Sequence, residues 1–208
     1  MNVCNFSGLL KQAFKESIDL KQSCMNAELD DLVFIAEEIS KSILNGGKLL
    51  ICGNGGSAAD SQHLAAELIV RLSKDFDRDP IRAISLVPDS ATITACSNDY
   101  SFDVLFERQI QSIGQPGDAL LLISTSGNSK NLIAVAACAK KMNISTLALL
   151  GGSGGILTNQ VDYSYVVKSF DTARVQEVHI LIEHTLAKYI ENKCCIKDWY
   201  SEDFLKER

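Results

Sequence analysis

The sequence contains no run of lysine or arginine and no basic stripe: 20 Lys and Arg stand against 26 Asp and Glu, for a formal net charge of −6. Polyanion binding draws most of its affinity from clustered cationic side chains, so nucleic acid is not an expected partner, and an acidic surface is repelled by an anionic membrane. No apolar stretch approaches the roughly 20 residues that a membrane-spanning helix needs. The opening segment, MNVCNFSGLLKQAFKESIDL, lacks the continuous apolar core of a secretion signal and is broken by charges. A cytoplasmic protein is the expectation. The seven cysteines (4, 24, 52, 96, 138, 194 and 195) form no C-x-x-C pair and no metal-like cluster. Odd in number and scattered through apolar segments, they read as incidental thiols in a reducing compartment. Internal repeats, low-complexity segments and interdomain linkers are missing too.

What is present is enough for one well-built domain: 208 residues, 46% of them hydrophobic. Residues from about 5 to 22 place Leu9, Leu10, Phe14 and Ile18 at helical spacing, and NAELDDLVFIAEEISKSILNGG follows with Leu29, Leu32, Val33, Ala36, Ile39 and Ile43. Gly46 and Gly47 supply a stop. The pattern then changes to short apolar runs at 48–52, 81–87, 118–125, 145–151 and 163–168, with helical stretches near 57–72, 101–113 and 129–142 between the first four. Continuous rather than alternating apolar strands separated by helices indicate a parallel sheet covered on both faces. A last helix is expected over about 172–192. The expected layout is an N-terminal helical pair over 1–46, a three-layer α/β core over 47–192 and a tail over 193–208 in which Trp199 and Phe204 are candidates for docking.

Ligands of such sheets bind at the carboxyl ends of the strands, where strand order reverses, and two loops stand at such ends. The first, GNGGSAAD from Gly53, has the spacing of a dinucleotide-binding turn, G-x-G-x-x-[GA], with Ser57 and Asp60 reading as cap and capping partner of the next helix. The ribose-binding acid that a dinucleotide site needs about 20 residues on is missing from its place; Asp89 lies about 30 residues past Ala58 and behind a proline. The second loop, ISTSGNSKN (123–131), groups the hydroxyls of Ser124, Thr125, Ser126 and Ser129 around a glycine before a helix. Hydroxyls, free backbone N–H groups and a helix N-terminus make a phosphate cup without any lysine. Two cups suit a small sugar phosphate better than a dinucleotide: one grips the phosphate, the other the hydroxyls at the reacting end.

The chain's three histidines all lie on the helices expected after the first loop and at the C-terminal end. His63 and Glu67 share one face at i, i+4, a spacing that suits a divalent metal or an ordinary surface pair, and Arg71 extends the ladder toward Glu67. On the last helix Gln176 and His184 point within roughly 80° of each other at about 100° per residue. His179 pairs in sequence with Glu183 and reads as a packed or interface residue.

Taken together, GNGGSAADSQHLAAEL, SNDYSF, ISTSGNS and RVQEVHILIEH resemble the sedoheptulose 7-phosphate isomerases (phosphoheptose isomerases) of the sugar-isomerase (SIS) domain superfamily, from about residue 5 to residue 192. The resemblance implies a flavodoxin-like, five-stranded parallel sheet and a homotetramer with active sites shared between subunits. It implies conversion of sedoheptulose 7-phosphate to glycero-manno-heptose 7-phosphate on the way to bacterial surface glycans such as lipopolysaccharide or capsule. It also implies substrate contacts from Asn54, Gly55, Gly56, Ser57, Glu67, Asn98, Asp99, Ser124, Thr125, Ser126, Ser129 and Gln176. One Zn²⁺ per subunit would be held by His63, Glu67, Gln176 and His184, with Glu67 and His184 as the proton-transfer groups. Some relatives carry an acid where this chain has Ala173, which leaves Asp99 and Asp171 open as further proton shuttles. A non-enzymatic SIS regulator of the replication-initiation type is the rival from another class. Such proteins lose the glutamate of His-x-x-x-Glu, and Glu67 favours the enzyme. An isomerase of another sugar phosphate is the second alternative.

Overall fold

The computed structural model describes residues 5–74 and 76–195; Trp199 and Phe204 lie outside the described residues. Helices α1 (Phe6–Met25) and α2 (Asp30–Leu44) lead into β1 (Leu49–Gly53), α3 (Gly56–Ile69), β2 (Ala83–Ser85), α4 (Ser90–Asp99), α5 (Leu105–Ile113), β3 (Ala119–Ser124), α6 (Lys130–Lys141), β4 (Ser145–Gly151), β5 (Tyr163–Val167) and α7 (Thr172–Cys195). The strands form one sheet in the order β2-β1-β3-β4-β5, every neighbouring pair parallel. This is the doubly wound flavodoxin-like order, which reverses between β1 and β3.

Every residue of β1 and β3 is buried, as continuous apolar strands in the middle of a parallel sheet must be. Alternate residues feed two cores. Leu49, Ile51, Leu121, Ile123, Leu147 and Leu149 meet α2, α3 and α7, whereas Leu50, Cys52, Leu120, Leu122, Ala148 and Leu150 meet α4, α5 and α6. Helix α2 belongs to the first core through the fully buried Ile35 and Ile39. Its buried stripe is turned from the expected one: Leu29 and Val33 are exposed and Ile35 replaces them. Helix α1 buries no residue at all and leaves Phe6, Leu9, Leu10, Phe14 and Ile18 exposed.

Two local expectations need correction. Helix α4 was not expected, because only Cys96 of it is buried and no apolar stripe marks it. It is nucleated by its cap: Asp89 accepts from the Thr92 N–H at 3.0 Å and from the Thr92 hydroxyl at 2.9 Å. Asp89 is therefore a helix cap and not a ribose ligand. Helix α7 runs on through Cys195, past residue 192, where the last helix was expected to end. The described cysteines are all free thiols, and among the described residues no helix is long and apolar enough to cross a membrane.

Candidate active site at the strand-order reversal

Because Gly53 pairs with Ile123 in adjacent strands, the loops that follow β1 and β3 leave the sheet side by side. Their helices diverge to opposite faces, α3 to one core and α6 to the other. This divergence marks the switch point at which ligands of such sheets bind, and the two loops are joined there by two reciprocal amide bonds. Asn54 Nδ2 donates to Asn131 Oδ1 at 2.9 Å, and Asn131 Nδ2 donates to Asn54 Oδ1 at 2.8 Å. Both Asn54 side-chain atoms are thus engaged in holding the two loops together.

The first loop turns at Gly55, the N-cap of α3, whose φ of 57° lies in the left-handed region. No side chain caps the helix. Ser57 is buried inside the first turn, where its carbonyl accepts from the Ser61 hydroxyl at 2.7 Å, so the expected Ser57–Asp60 capping box does not form. Gly56 lies under Gln176: a Cβ there would fall 2.4 Å from the Gln176 amide nitrogen. The Gln176 side chain accordingly reaches from α7 onto the glycine loop.

The second loop is partly self-satisfied. Ser124 is buried and its Oγ accepts from the Gly127 N–H at 3.0 Å, while the exposed Ser126 accepts weakly from the Asn128 N–H at 3.3 Å. Ser129 is the N-cap residue of α6 but makes no side-chain cap bond, and Thr125 is half-buried beside it. The loop is backed by a segment that sequence reasoning missed, residues 152–157 after β4. The Leu157 N–H donates to the Gly127 carbonyl at 3.0 Å and the Ile156 N–H to Asn128 Oδ1 at 3.1 Å. At Gly127, with φ 65°, a Cβ would stand 1.9 Å from the Gly154 carbonyl oxygen. Four glycines in five residues, GGSGG, were the available signal.

Helices α3 and α7 pack together in the first core and bring their polar residues to one point. His63 Nε2 and His184 Nε2 are 2.8 Å apart with their rings at 75°, and His63 Nε2 lies 3.6 Å from Glu67 Oε1. One donor atom from each of the three residues falls within 4.8 Å of the others. Two imidazole nitrogens and a carboxylate converging this closely form a fitting donor set for a divalent ion such as zinc. Among the described residues no other group of three His, Cys, Asp or Glu side chains does so. The side chain of His63 is 41% exposed and that of Glu67 20%, so the site faces outward from a single chain. Arg71 takes no part: it lies beyond the end of α3, 3.8 Å from Asp77. Asn98 and Asp99 are exposed on the last turn of α4, where the Asn98 amide donates to Asp99 Oδ1 at 2.8 Å. Asp171 caps α7, accepting from the Ala173 N–H at 2.9 Å and the Arg174 N–H at 3.2 Å.

The remaining histidine is structural in its contacts. His179 is fully buried and its Nε2 lies 3.1 Å from the Leu150 carbonyl; burial pushes its pKa down to about 4. The expected His179–Glu183 pair does not form, since His179 Nδ1 and both Glu183 oxygens are buried with no hydrogen-bond partner among the described residues. Desolvation, with the charge of Asp60 adding to it, pushes the Glu183 carboxyl up to about 8. Glu183 then holds an extra proton in the folded state between about pH 4.5 and 8, and its contribution to stability falls as pH rises through that window. His179 acts oppositely, binding its proton more readily when unfolded, so its contribution falls as pH drops from about 6.5 to 4. Their pH slopes oppose each other and roughly cancel near pH 5–6. Glu183→Gln is therefore expected to raise Tm at pH 8.5 by roughly 5 °C, on the order of 2 kcal/mol, and to leave it nearly unchanged at pH 5. Thermal unfolding at the two pH values checks this, and a gap of equal size at both would contradict it.

The chain matches the SIS domain family over residues 13–151. It is 41% identical over 187 residues to the phosphoheptose isomerase of Roseiflexus sp. (strain RS-1), covering 90% of this chain and 94% of that protein. The chain belongs to the phosphoheptose isomerase family. The phosphoheptose isomerase of Sulfurimonas denitrificans is 44% identical over 188 residues, covering 88% of this chain and 94% of its own length. Among solved structures, the phosphoheptose isomerase of Neisseria gonorrhoeae matches with a TM-score of 0.84 at 37% identity, over 90% of this chain and all (100%) of that one. That of Francisella tularensis gives 0.85 at 36% identity, over 90% and 99%.

Proposed function

We propose that the protein interconverts sedoheptulose 7-phosphate and glycero-manno-heptose 7-phosphate in the cytoplasm, supplying heptose for bacterial surface glycans. The observation that carries this reading is the meeting of His63, Glu67 and His184 on α3 and α7 in a chain of the phosphoheptose isomerase family. Shifting a carbonyl from C2 to C1 requires removal of a C1 proton, an ene-diol, and a proton delivered to C2. Glu67 takes the C1 proton. His184, from the facing helix, serves as the partner acid and base toward the oxygens. Gln176, laid over Gly56, joins His63, Glu67 and His184 as the residues that would hold one Zn²⁺ per subunit. When bound, that ion supplies Lewis-acid stabilisation of the negative charge that builds on the oxygens. Asn54, Gly55, Gly56 and Ser57, with Asn98 and Asp99, line the sugar side. Ser124, Thr125, Ser126 and Ser129 form the phosphate side at the N-terminus of α6.

The outward-facing His63 and the uncovered apolar stripe of α1 support a homotetramer in which neighbouring subunits complete each site. In this arrangement the N-terminal helical pair (1–46) belongs to the same domain, with α1 as its assembly face and α2 packed into the core, and residues 47–192 form the substrate-binding part.

Ser126→Ala tests the phosphate side. A hydrogen bond to a charged group is worth about 1.5–3 kcal/mol, so KM is expected to rise roughly 10- to 150-fold with kcat little changed, because phosphate contacts are shared by ground and transition states. Steady-state kinetics decides the matter: an unchanged KM, or a loss confined to kcat, contradicts the assignment. The function itself is tested by incubating the purified protein with sedoheptulose 7-phosphate, with and without chelator, and following both heptose phosphates by NMR. Conversion that chelator abolishes and zinc restores is the expected result.

A further inference from the structure

Beyond the site lies a buried ion pair that ties its two helices together. Arg78, in the segment after α3, has a side chain only 2% exposed, and its Nε donates to Glu191 Oε2 on α7 at 2.7 Å; the Glu191 side chain is 5% exposed. The other end of the guanidinium grips the last turn of α3. Nη2 donates to the backbone carbonyl of Glu67 at 2.9 Å, and Nη1 to the backbone carbonyls of Leu68 at 2.8 Å and Asp79 at 3.1 Å. The carbonyls at a helix C-terminus have no partner within the helix, and here a single planar fork takes up two of them. Glu191 stands seven residues, close to two helical turns, after His184 and so shares its face of α7. α7 thereby meets α3 twice along one line: at His184 opposite His63, and at Glu191 through Arg78.

Stability alone gives such a pair little reason to exist, since well-packed apolar residues in place of a buried ion pair often serve folding equally well or better. An apolar pair lacks direction, which the guanidinium has: its donors fix one particular carbonyl at one particular place. We propose that Arg78 is a positioning residue that holds the turn of α3 bearing Glu67 in register with α7, so that the Glu67 carboxylate meets His63 and His184. This rests on reading those three residues as the metal-binding and proton-transfer site.

Two variants of the full chain separate positioning from folding. Arg78→Lys keeps a charge opposite Glu191 but loses the fork, and Arg78→Met with Glu191→Met replaces the pair by apolar side chains of similar length. Zinc binding to the metal-free proteins is measured by calorimetry, alongside Tm, kcat and KM for sedoheptulose 7-phosphate. Both variants are expected to fold, to bind zinc about 10- to 100-fold more weakly, as loss of supporting contacts around a metal site does, and to lose kcat in proportion with KM changed less than about 3-fold. Wild-type zinc affinity and kcat in a folded variant overturn the proposal; should the double variant fail to fold, Arg78→Lys decides. A wild-type protein that binds no zinc overturns the reading of the site and the positioning role with it, whereas retained binding in the variants overturns the positioning role alone.

Discussion

Glu67→Gln is expected to lower kcat for isomerisation by about 10²- to 10⁴-fold, the usual worth of a positioned general base, with KM changed only a few-fold. Glutamine keeps the shape of the side chain and one oxygen donor, so the fold and the approach to His63, now 3.6 Å from Glu67 Oε1, survive the exchange. The ability to accept a proton is lost, together with the negative charge offered to a metal, so the comparison is made at saturating zinc. The backbone at this position is held independently, since the Glu67 carbonyl accepts from Arg78. Equal losses in kcat and kcat/KM are the pattern of an interaction made in the transition state alone. A variant that turns over within 10-fold of the wild-type rate would remove Glu67 from the chemistry.

Removing residues 1–28 is expected to abolish activity by preventing assembly, although none of the proposed site residues is touched. Helix α1 has no fully buried residue and touches the core only through the half-buried Leu20 and Cys24. Phe6 is 73% exposed, Phe14 62% and Ile18 64%, a continuous apolar stripe of a kind that single soluble chains rarely leave uncovered. A second copy of the chain is the proposed cover. The cut stops short of α2 because that helix is core: Ile35 and Ile39 are fully buried against the sheet, and a deletion reaching residue 45 would remove them and unfold the protein outright. Light scattering is expected to show smaller or aggregated species, with isomerase activity down at least 100-fold. A shortened protein that remains tetrameric and active would sink the assembly role of α1.

The contrast between these helices shows which parts of the molecule could be read in advance. The five strands were legible because central strands of a parallel sheet are apolar throughout, as LLICG and ALLLIS are. Helix α4 was not, because a single buried residue, Cys96, leaves no periodic stripe. Its signal was the local capping chemistry of Asp89 and Thr92, which periodicity does not register. In the site, His63 and Glu67 were visible as a pair because helical spacing is local. The approach of His63 to His184 spans 121 residues and depends on how α3 and α7 pack, which no local pattern encodes; the family resemblance supplied it. Neither periodicity nor resemblance pointed to Asn131, which locks Asn54, or to Arg78, which joins α3 to α7. Their roles are hydrogen bonds to partners distant in sequence, and an asparagine or arginine in a polar stretch looks like any solvated side chain until the fold buries it.

The proton-transfer role of Glu67 beside the histidines is the centre of this account, and hydrogen–deuterium exchange tests it most directly. Sedoheptulose 7-phosphate is incubated in heavy water with wild-type protein and with Glu67→Gln, each at saturating zinc and with metal occupancy confirmed, and deuterium at C1 is followed by NMR. The wild type is expected to exchange the C1 hydrogen at a rate comparable to isomerisation, and the zinc-loaded variant at least 100-fold more slowly, in step with its lost turnover. Near-wild-type exchange in the fully loaded variant would contradict the assignment, leaving Glu67 a ligand alone and passing the base role to His184 or Asp99.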